Sequence, residues 1–262
     1  MGISGGIKRP VRGPLVKATT CGGLPWDGEH GGSTFLPTKL ANLSLWLRSD
    51  MGITTDTGGV SAWADQSGAE NDAAQATSGV RPDFTTSDAN FNGHPSVNFT
   101  ASADDFLTVT HAANLQLSGA GYSIYWAVNV AVGTTHILGV KGTEWIIQSS
   151  NSGNGGNLAA FVRNAADTAF ISVTGDNLDT GTTVVFRFQW KADDVTLGTR
   201  IDAATEDTGT GVGHHLDTGD VVIGDAADAA DFDCAEIIIV QREVSATEDT
   251  AIMGYLNARY GL

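Results

Sequence analysis

Cysteine, histidine and basic side chains are scarce in this sequence, and it contains no long apolar run. Its 262 residues include two cysteines, Cys21 and Cys234, far fewer than the disulfide framework of a small secreted protein requires. Two free thiols are therefore expected, with a Cys21–Cys234 bridge as the alternative. No segment approaches the ~18 apolar residues of a membrane-spanning helix, and the N-terminus lacks the apolar core of a signal peptide. We expect a protein that is made in the cytoplasm and is not exported by the general route.

The short motifs of common catalytic sites are missing as well. The sequence has no Gly-x-Ser-x-Gly turn, no His-Glu-x-x-His or Cys-x-x-Cys pair and no phosphate-binding loop. Its six histidines are scattered, and the adjacent His214 and His215 would point to opposite faces of a strand. We therefore assign no catalytic residue. The sequence predicts a protein that is not an enzyme and has no cofactor, with calcium as the one ion left open.

Charge is distributed unevenly along the chain. Thirty acidic against 14 basic side chains give a net charge of −16. Residues 1–40 hold five of the basic side chains and two of the acidic ones, so residues 41–262 keep nine and 28, a net charge of −19. Because duplex binding depends on Lys and Arg side chains that neutralise phosphates, this balance argues against a nucleic-acid partner.

Residues 1–40 are predicted to form an extended arm. Gly, Pro and isolated apolar residues leave neither a helical nor an alternating period there, so the segment cannot build a core of its own. Two interpretations stay open, a frayed terminus and an arm that becomes ordered on a partner; the apolar and aromatic content favours the arm. Its candidate docking residues are Ile7, Lys8, Arg9, Val11, Arg12, Leu15, Trp26 and Phe35.

Residues 41–262 are predicted to form one all-β domain. Short apolar runs recur between Gly- and Asn-rich turns, which is typical of a sandwich or jelly roll. In the clearest run, residues 186–190, three aromatic side chains alternate with two polar ones. Residues 205–218 and 225–233 are polar and rich in Gly and Asp, so they are predicted as loops at the rim of the sandwich.

The C-terminal residues 232–262 predict a strand followed by a capped helix. Residues 236–240 are a glutamate followed by four apolar, β-branched residues, a composition that favours a strand. Ser245 and Glu248 have the spacing of a capping box, in which each side chain satisfies a backbone donor at the start of a helix. Gly261 marks the end of that helix. One apolar stripe, formed by Ile252, Tyr255 and Leu256, would face a core.

Motifs at both ends of the domain occur in a recognisable order. They are Leu45–Asp50, Gly58–Gly68, Ala73–Ala76, Arg81–Pro82, Asn92–Pro95, Val97, Phe99, Asp104–Leu107, Ala235–Val240, Ser245, Tyr255–Leu256 and Tyr260–Leu262. Their order and spacing resemble those of concanavalin A-like lectin/glucanase domains of the LamG-like jelly-roll type, from about Leu43 to Leu262. The resemblance implies an all-β, concanavalin A-like jelly-roll sandwich with an extended N-terminal arm and a short C-terminal helix. Arg48 departs from the pattern, because the family often has an acid there.

The resemblance also directs attention to the acidic residues. Laminarinase-type glucanases of the same superfamily carry Glu-x-Asp-x-x-Glu along one strand, and Asp231, Asp233 and Glu236 have that spacing. The first acid is Asp instead of Glu, so we interpret Glu236 as an exposed or hydrogen-bonded strand residue and not as a catalytic one. Many lectin-like sandwiches hold calcium. Candidate ligands are Asp65, Asp104 and Asp105, with Asp225, Asp228 and Asp231 as an alternative set and turn capping as the simpler role of Asp65.

The LamG-like resemblance and the predicted arm over residues 1–40 together predict a structural protein of a virion. LamG-like domains of this kind are frequent among the structural proteins of tailed bacteriophages. We expect a capsid decoration protein or a tail or fibre component that docks on capsid or tail subunits through its arm and forms a homo-oligomer such as a trimer. The alternative is a carbohydrate-binding adhesion module whose partner is a surface glycan, and a third reading is a glycan hydrolase or lyase. No nucleic-acid or membrane partner is predicted.

Overall fold

The strands pair into two antiparallel sheets. Apolar side chains that alternate along the strands lie on the inner faces of the sheets, and these faces pack together. The computed structural model describes residues 35–132, 136–150, 156–225 and 230–262, and these contain 17 strands and one α-helix. The strands are β1 (Leu43–Arg48), β2 (Ile53–Asp56), β3 (Gly59–Trp63), β4 (Ala73–Ala74), β5 (Asp83–Thr85), β6 (Ser96–Phe99), β7 (Phe106–Val109), β8 (Tyr122–Val130), β9 (His136–Lys141), β10 (Trp145–Ser150), β11 (Asn157–Arg163), β12 (Phe170–Asn177), β13 (Thr183–Trp190), β14 (Thr196–Ile201), β15 (Asp207–Thr210), β16 (Val221–Gly224) and β17 (Phe232–Val240). The helix is α1 (Ala246–Tyr260).

The two sheets have eight and nine strands, and the central strands of the front sheet are covered on both faces. The front sheet has eight strands in the order β15-β14-β13-β8-β17-β6-β5, and β1 also pairs with β17. The back sheet has nine, in the order β12-β11-β10-β9-β16-β7-β4-β3-β2. All nine residues of β8 are buried, as are eight of the nine in β17. Such continuous burial means that a layer lies on each side of the central strands of the front sheet.

The main core lies between the sheets and is rich in aromatic side chains. Phe186, Phe188 and Trp190 of β13 point into it, as their alternation predicts. Trp145 of the back sheet meets Phe188 with 6.0 Å between ring centroids. Rings at this separation and tilt add to the stabilisation that their burial provides. The predicted all-β sandwich is therefore confirmed.

α1 packs on the outer face of the front sheet and closes a second apolar cluster there. Ile252 and Leu256 are fully buried in this cluster, as the predicted stripe requires. Ser245 accepts a hydrogen bond from the Glu248 N–H (3.3 Å), and the Glu248 carboxylate accepts one from the Ser245 N–H (2.9 Å), which is the predicted capping box. Gly261 ends the helix with φ of 76°, a backbone conformation that glycine tolerates best. No helix among the described residues is long and apolar enough to cross a membrane.

One polar strand lies where the sequence pattern predicts a loop. A loop is predicted for residues 205–218, yet Asp207–Thr210 form β15, which pairs with β14. The predicted loop over residues 225–233 is wrong at its end, because β17 begins at Phe232. Edge strands such as β15 pair through backbone groups and need no apolar alternation, so side-chain patterns do not reveal them.

Residues 35–40, which the sequence assigns to the arm, pack against the sandwich. Pro37–Lys39 form one turn of 3₁₀ helix, and Leu40 is buried in the cluster beneath α1. The Phe35 ring lies 6.0 Å from that of Tyr255 in α1. The other candidate docking residues lie outside the described residues; they are Ile7, Lys8, Arg9, Val11, Arg12, Leu15 and Trp26.

Candidate functional site

Glu236 lies beneath α1 and is closed off from solvent. Its carboxylate accepts hydrogen bonds from Trp46 Nε1 (2.6 Å), the Tyr260 hydroxyl (2.8 Å) and the Tyr255 hydroxyl (3.0 Å). Burial raises the pKa of Glu236, while these hydrogen bonds and the charge of Arg259 oppose the rise. The prediction of a hydrogen-bonded strand residue is confirmed, and that of an exposed one is wrong. Because α1 covers the carboxyl group, Glu236 anchors the helix and does not line a substrate cleft.

Asp65 caps a turn. Its carboxylate accepts hydrogen bonds from the backbone N–H groups of Trp46 (2.9 Å), Ser67 (2.8 Å) and Asn71 (3.1 Å), and from the Ser67 hydroxyl (2.6 Å). An Asp side chain that bonds to backbone groups a few residues ahead fixes a turn. This is the simpler of the two roles predicted for Asp65.

The acids considered as calcium ligands do not come together among the described residues. In residues 35–132, 136–150, 156–225 and 230–262, no group of three or more His, Cys, Asp or Glu side chains is arranged to hold a metal ion. Asp105 is buried and accepts a hydrogen bond from the Thr100 N–H (3.0 Å), while Asp104 occupies a left-handed turn position with φ of 54°. Asp228 of the alternative set lies outside the described residues.

Aromatic side chains and the thiol of β17 are mostly internal. Trp46, Trp63, Trp126, Trp145 and Trp190 are all buried, and Trp26 lies outside the described residues. Phe170 is the one aromatic side chain in the described ranges with more than a third of its surface exposed, and the Arg163 guanidinium lies 4.7 Å from its ring centre. Cys234 is a free and fully buried thiol whose pKa is raised by burial; Cys21 is not among the described residues.

A row of polar side chains crosses the outer face of the front sheet where α1 does not cover it. The strand register aligns one residue from each of five strands. In the three inner strands, the side chains on either side of Asn98, Asp233 and Asn129 point into the core. We name this set the polar row. From the sheet edge inwards it consists of Asp83, Asn98, Asp233, Asn129 and Thr183.

Hydrogen bonds fix the side chains of the polar row. Asn98 Nδ2 donates to Asp233 Oδ1 (2.7 Å), and Asn98 Oδ1 accepts from the Thr85 hydroxyl (2.7 Å). Asn129 Nδ2 donates to the Gly181 carbonyl oxygen (3.3 Å). Such contacts hold planar amide and carboxylate groups in defined orientations, which is a requirement for recognising hydrogen-bonding groups on a ligand.

Two pockets open along the polar row. The row pocket, about 200 Å³ in volume, is lined by Asn98, Phe99, Thr100, Asn129, Ala131, Asp231, Phe232 and Asp233. The terminal pocket, about 350 Å³, is lined by Ala89, Asn90, Asn92, Gly181, Thr182, Thr183, Tyr260, Gly261 and Leu262. Since Asn129 and Thr183 are direct cross-strand neighbours, the two pockets are adjacent on one continuous polar surface.

The row pocket is acidic. Burial raises the pKa of Asp233; the hydrogen bond from Asn98 opposes this rise, and the negative charge of Asp88 adds to it. The pKa of Asp105, whose carboxylate binds the Thr100 N–H, is also raised by burial. No Lys, Arg or His side chain is among the residues that line either pocket.

The sequence reading identified Asp231 and Asp233 but missed the amide and hydroxyl members of the row. Asn98, Asn129 and Thr183 are polar residues in strands rich in apolar ones, each placed where the alternation points outwards. That signal is available in the sequence. What it lacks is the register that brings three strands, far apart along the chain, into one line.

Two antiparallel sheets packed face to face, with a helix on one outer face, define this protein as an all-β sandwich of the jelly-roll type. Among solved structures, its fold is similar to that of the binding domain of Paraclostridial Mosquitocidal Protein 1, with a TM-score of 0.62 at 11% identity over 83% of this chain and 52% of that one. It is also similar to the Botulinum neurotoxin serotype G binding domain, with a TM-score of 0.58 at 14% identity over 80% and 50% of the two chains.

A third similar structure is titled as a complex with a sugar. It is the Botulinum neurotoxin serotype D ligand binding domain in complex with N-acetylneuraminic acid, with a TM-score of 0.56 at 13% identity over 84% of this chain and 52% of that one. This chain therefore spans about half the length of the solved chains that it matches. At such low identity the likeness establishes the fold alone. No family model and no curated protein matches the sequence, so the LamG-like relationship stays a prediction.

Proposed function

We propose that this protein is a non-enzymatic recognition module that binds carbohydrate through the polar row. The observation that carries the proposal is the row itself, because five strands align Asp83, Asn98, Asp233, Asn129 and Thr183 on the front sheet's outer face, outside the apolar cluster that α1 closes. The proposal corresponds to the alternative that the sequence left open, in which the partner is a surface glycan.

The chemistry of the row suits a sugar. A pyranose presents several hydroxyl groups, each of which both donates and accepts hydrogen bonds, and planar Asn and Asp groups can accept from or donate to neighbouring hydroxyls. Asn98 and Asp233 are held by a hydrogen bond to each other, and Asn129 by one to Gly181, so these side chains lose little freedom on binding. Two adjacent pockets could accommodate successive units of an oligosaccharide.

Similar structures give fold-level support. One of them is a ligand binding domain in complex with N-acetylneuraminic acid. Another is described by the statement that cell entry of botulinum neurotoxin type C is dependent upon interaction with two ganglioside molecules. Those statements concern the neurotoxins. They make a sugar-binding surface on this sandwich a reasonable expectation, by analogy between folds.

The test uses the full chain and measures binding to an oligosaccharide array, followed by calorimetry with the best ligand. Asn129→Ala removes a buried amide at the centre of the row and should weaken binding at least about tenfold, because its hydrogen-bonding partners on the ligand would be left unpaired. Thr174→Ala, an exposed change on the back sheet, is the matched control and should bind like the natural protein.

Three outcomes would contradict the proposal. No binding to any glycan would remove its basis. Binding that survives Asn129→Ala but disappears in Phe170→Ala would place the site at the exposed aromatic side chain of β12 instead. Release of new reducing ends from the bound oligosaccharide would make the protein a hydrolase and overturn the non-enzymatic part.

The more specific prediction of a virion structural protein remains a proposal beside this one. It rests on the LamG-like resemblance and on the cationic residues 1–40. Of the candidate docking residues in that segment, Phe35 is the one that the structure describes, and it packs on Tyr255. The named structural neighbours are toxin binding domains and not virion proteins. Particle association of the full chain, compared with that of a chain lacking residues 1–40, is the measurement that bears on it.

A further inference from the structure

An uncharged row of side chains runs across all nine strands of the back sheet, on its outer face. The strand register aligns one outward residue from each strand, and we name this set the back row. In the order of the strands from β2 to β12, it consists of Thr54, Ala62, Ala74, Thr108, Val222, Val140, Ile146, Phe161 and Ser172. Four adjacent members of the row are thus apolar, although the outer face of an antiparallel sheet in water is ordinarily polar.

The apolar centre of the back row is left partly exposed. Val222, Val140, Ile146 and Phe161 all keep solvent contact, and neither apolar cluster of the described residues includes them. Phe170, 40% exposed, lies beside Phe161 with 6.0 Å between ring centroids and extends this surface. On the front sheet, by contrast, α1 covers the apolar part of the outer face. A contiguous apolar surface of this kind marks an interaction site.

Charge separates this face from the rest of the body. Residues 41–262 hold 28 acidic side chains, yet the back row contains none. The outward residues on one side of it are also uncharged; they are Ile137, Gln148, Ala159 and Thr174. On the other side, Arg163 and Asp220 lie two residues along their strands from the row. A neutral centre with charges at its rim is the composition of a protein interface.

The face is large enough for a stable interface. Its nine strands span roughly 40 Å at ~4.8 Å per strand, and the six residues of β9 and β10 give it a depth of about 20 Å. The product is on the order of 800 Å², which is the area that each partner contributes to a standard interface.

A second copy of the same chain is the partner that this face fits. Each chain carries a net charge of −16, so two copies repel wherever acids face acids and approach at least cost through an uncharged face. A cationic partner would be drawn to the acidic surfaces and would gain no attraction here. A two-fold axis lets one sheet face pack on its own copy, in the way that the two sheets of a sandwich pack.

We propose that two copies of this chain form a dimer in which the back rows pack face to face. The polar row lies on the outer face of the front sheet, so this dimer presents two polar rows on opposite sides and can bind two ligand sites at once. The dimer does not depend on the proposed carbohydrate binding, and either can fail without the other.

Sedimentation velocity of the full chain tests the dimer, from about 0.1 to about 100 μM, a range that includes the weaker interfaces of this size. The natural protein should sediment with the mass of two chains. Ile146→Glu places a carboxylate from each copy in the interface without a partner and should weaken association at least about 100-fold. Val212→Glu makes a similar change at a position that is 80% exposed and outside the row, and should leave the dimer intact.

A second variant keeps the test independent of folding. Circular dichroism establishes whether Ile146→Glu is folded. Should it not be, Thr108→Glu replaces a partly exposed polar member of the same row and should also dissociate the dimer.

Salt provides a further measurement. Because the copies repel one another, raising the salt from about 50 to about 500 mM should tighten the dimer through screening. Association through the basic residues 1–40 and the acidic body would weaken instead.

Four results would overturn the dimer. They are a monomer at the highest concentration, a dimer that persists in both row variants, an equal loss of association in Val212→Glu, and weakening by salt. None of them bears on glycan binding by the polar row, which the oligosaccharide array measures separately.

Discussion

Individual polar groups in this protein are buried only where other groups satisfy them. The Glu236 carboxyl receives three hydrogen bonds under α1. Lys141 and Glu144 form a fully buried ion pair (3.1 Å), and Lys141 Nζ also donates to the carbonyl oxygens of Asp217 (2.7 Å) and Gly219 (3.1 Å). Removing one partner of such a pair leaves an uncompensated charge, so these residues specify which loops and strands can pack together.

The pH dependence of stability offers a test at the level of one residue. The folded-state pKa of Glu236 is raised above its ordinary value of 4.5, so its protonated form is favoured by folding. Its contribution is present below that ordinary value and is lost as the pH rises through the folded-state pKa. We expect the free energy of unfolding of the natural protein, relative to that of Glu236→Gln, to fall as the pH rises above 4.5 and through the raised pKa of Glu236.

Urea denaturation of both proteins across that range measures the difference, in which titrations common to both cancel. Glu70→Gln changes the same charge at an exposed position and serves as the control. A difference that rises with pH would mean that the Glu236 carboxylate is stabilised in its ionised form, contrary to the burial seen beneath α1.

Among the secondary-structure elements, α1 decides which part of the front sheet meets solvent. Its apolar stripe covers the side chains of Trp46, Tyr125 and Ile238, and the polar row begins where that cover ends. One part of the outer face of the front sheet is therefore packed against α1, and another part carries the polar row that we propose as the binding surface. The helix start is held by the capping box, and Arg242 pairs with the Glu248 carboxylate there (2.6 Å).

Substitution of the capping residue tests the hold on α1. Ser245→Ala should lower the free energy of unfolding by about 1 kcal/mol, because the Glu248 N–H loses its acceptor and the Glu248 carboxylate loses the Ser245 hydroxyl. Thr250→Ala, an exposed change inside the same helix, should alter it by less than about 0.5 kcal/mol. Chemical denaturation gives both values, and equal effects would argue that the cap contributes nothing particular.

At the scale of the whole molecule, the segment that packs against the sandwich begins before β1, the first strand. Leu40 is buried beneath α1 and the Phe35 ring packs near that of Tyr255, although Leu40 and Phe35 lie in the segment that the sequence assigns to the arm. The acidic body and the basic residues 1–40 therefore do not separate at the boundary that charge alone suggests.

Truncating one leucine tests where the packed body begins. Leu40→Ala should lower the free energy of unfolding by about 2 kcal/mol or more, as expected for a leucine side chain deleted from a closed cluster. Leu36→Ala, four residues earlier and 46% exposed, should change it by less than about 0.5 kcal/mol. Thermal or urea denaturation distinguishes the two, and a negligible effect of Leu40→Ala would return residues 35–40 to the arm.

Local patterns in the sequence were sufficient for the elements whose signal lies in a few adjacent residues. The alternation across Phe186–Trp190, the Ser245 and Glu248 capping box and the Gly261 terminus were all readable, because side-chain periodicity and capping depend on neighbours within one turn or one strand. The all-β class followed from the same kind of pattern.

Only the tertiary structure decided the site. Asn98, Asn129, Thr183 and Asp233 come from four separate strands, and their alignment depends on pairing register, which is a property of long-range contacts and not of any one segment. The burial of Glu236 depends in the same way on where α1 comes to rest. Composition and periodicity determine which elements form, while the packing of those elements determines which polar groups are enclosed and which are left free to meet a ligand.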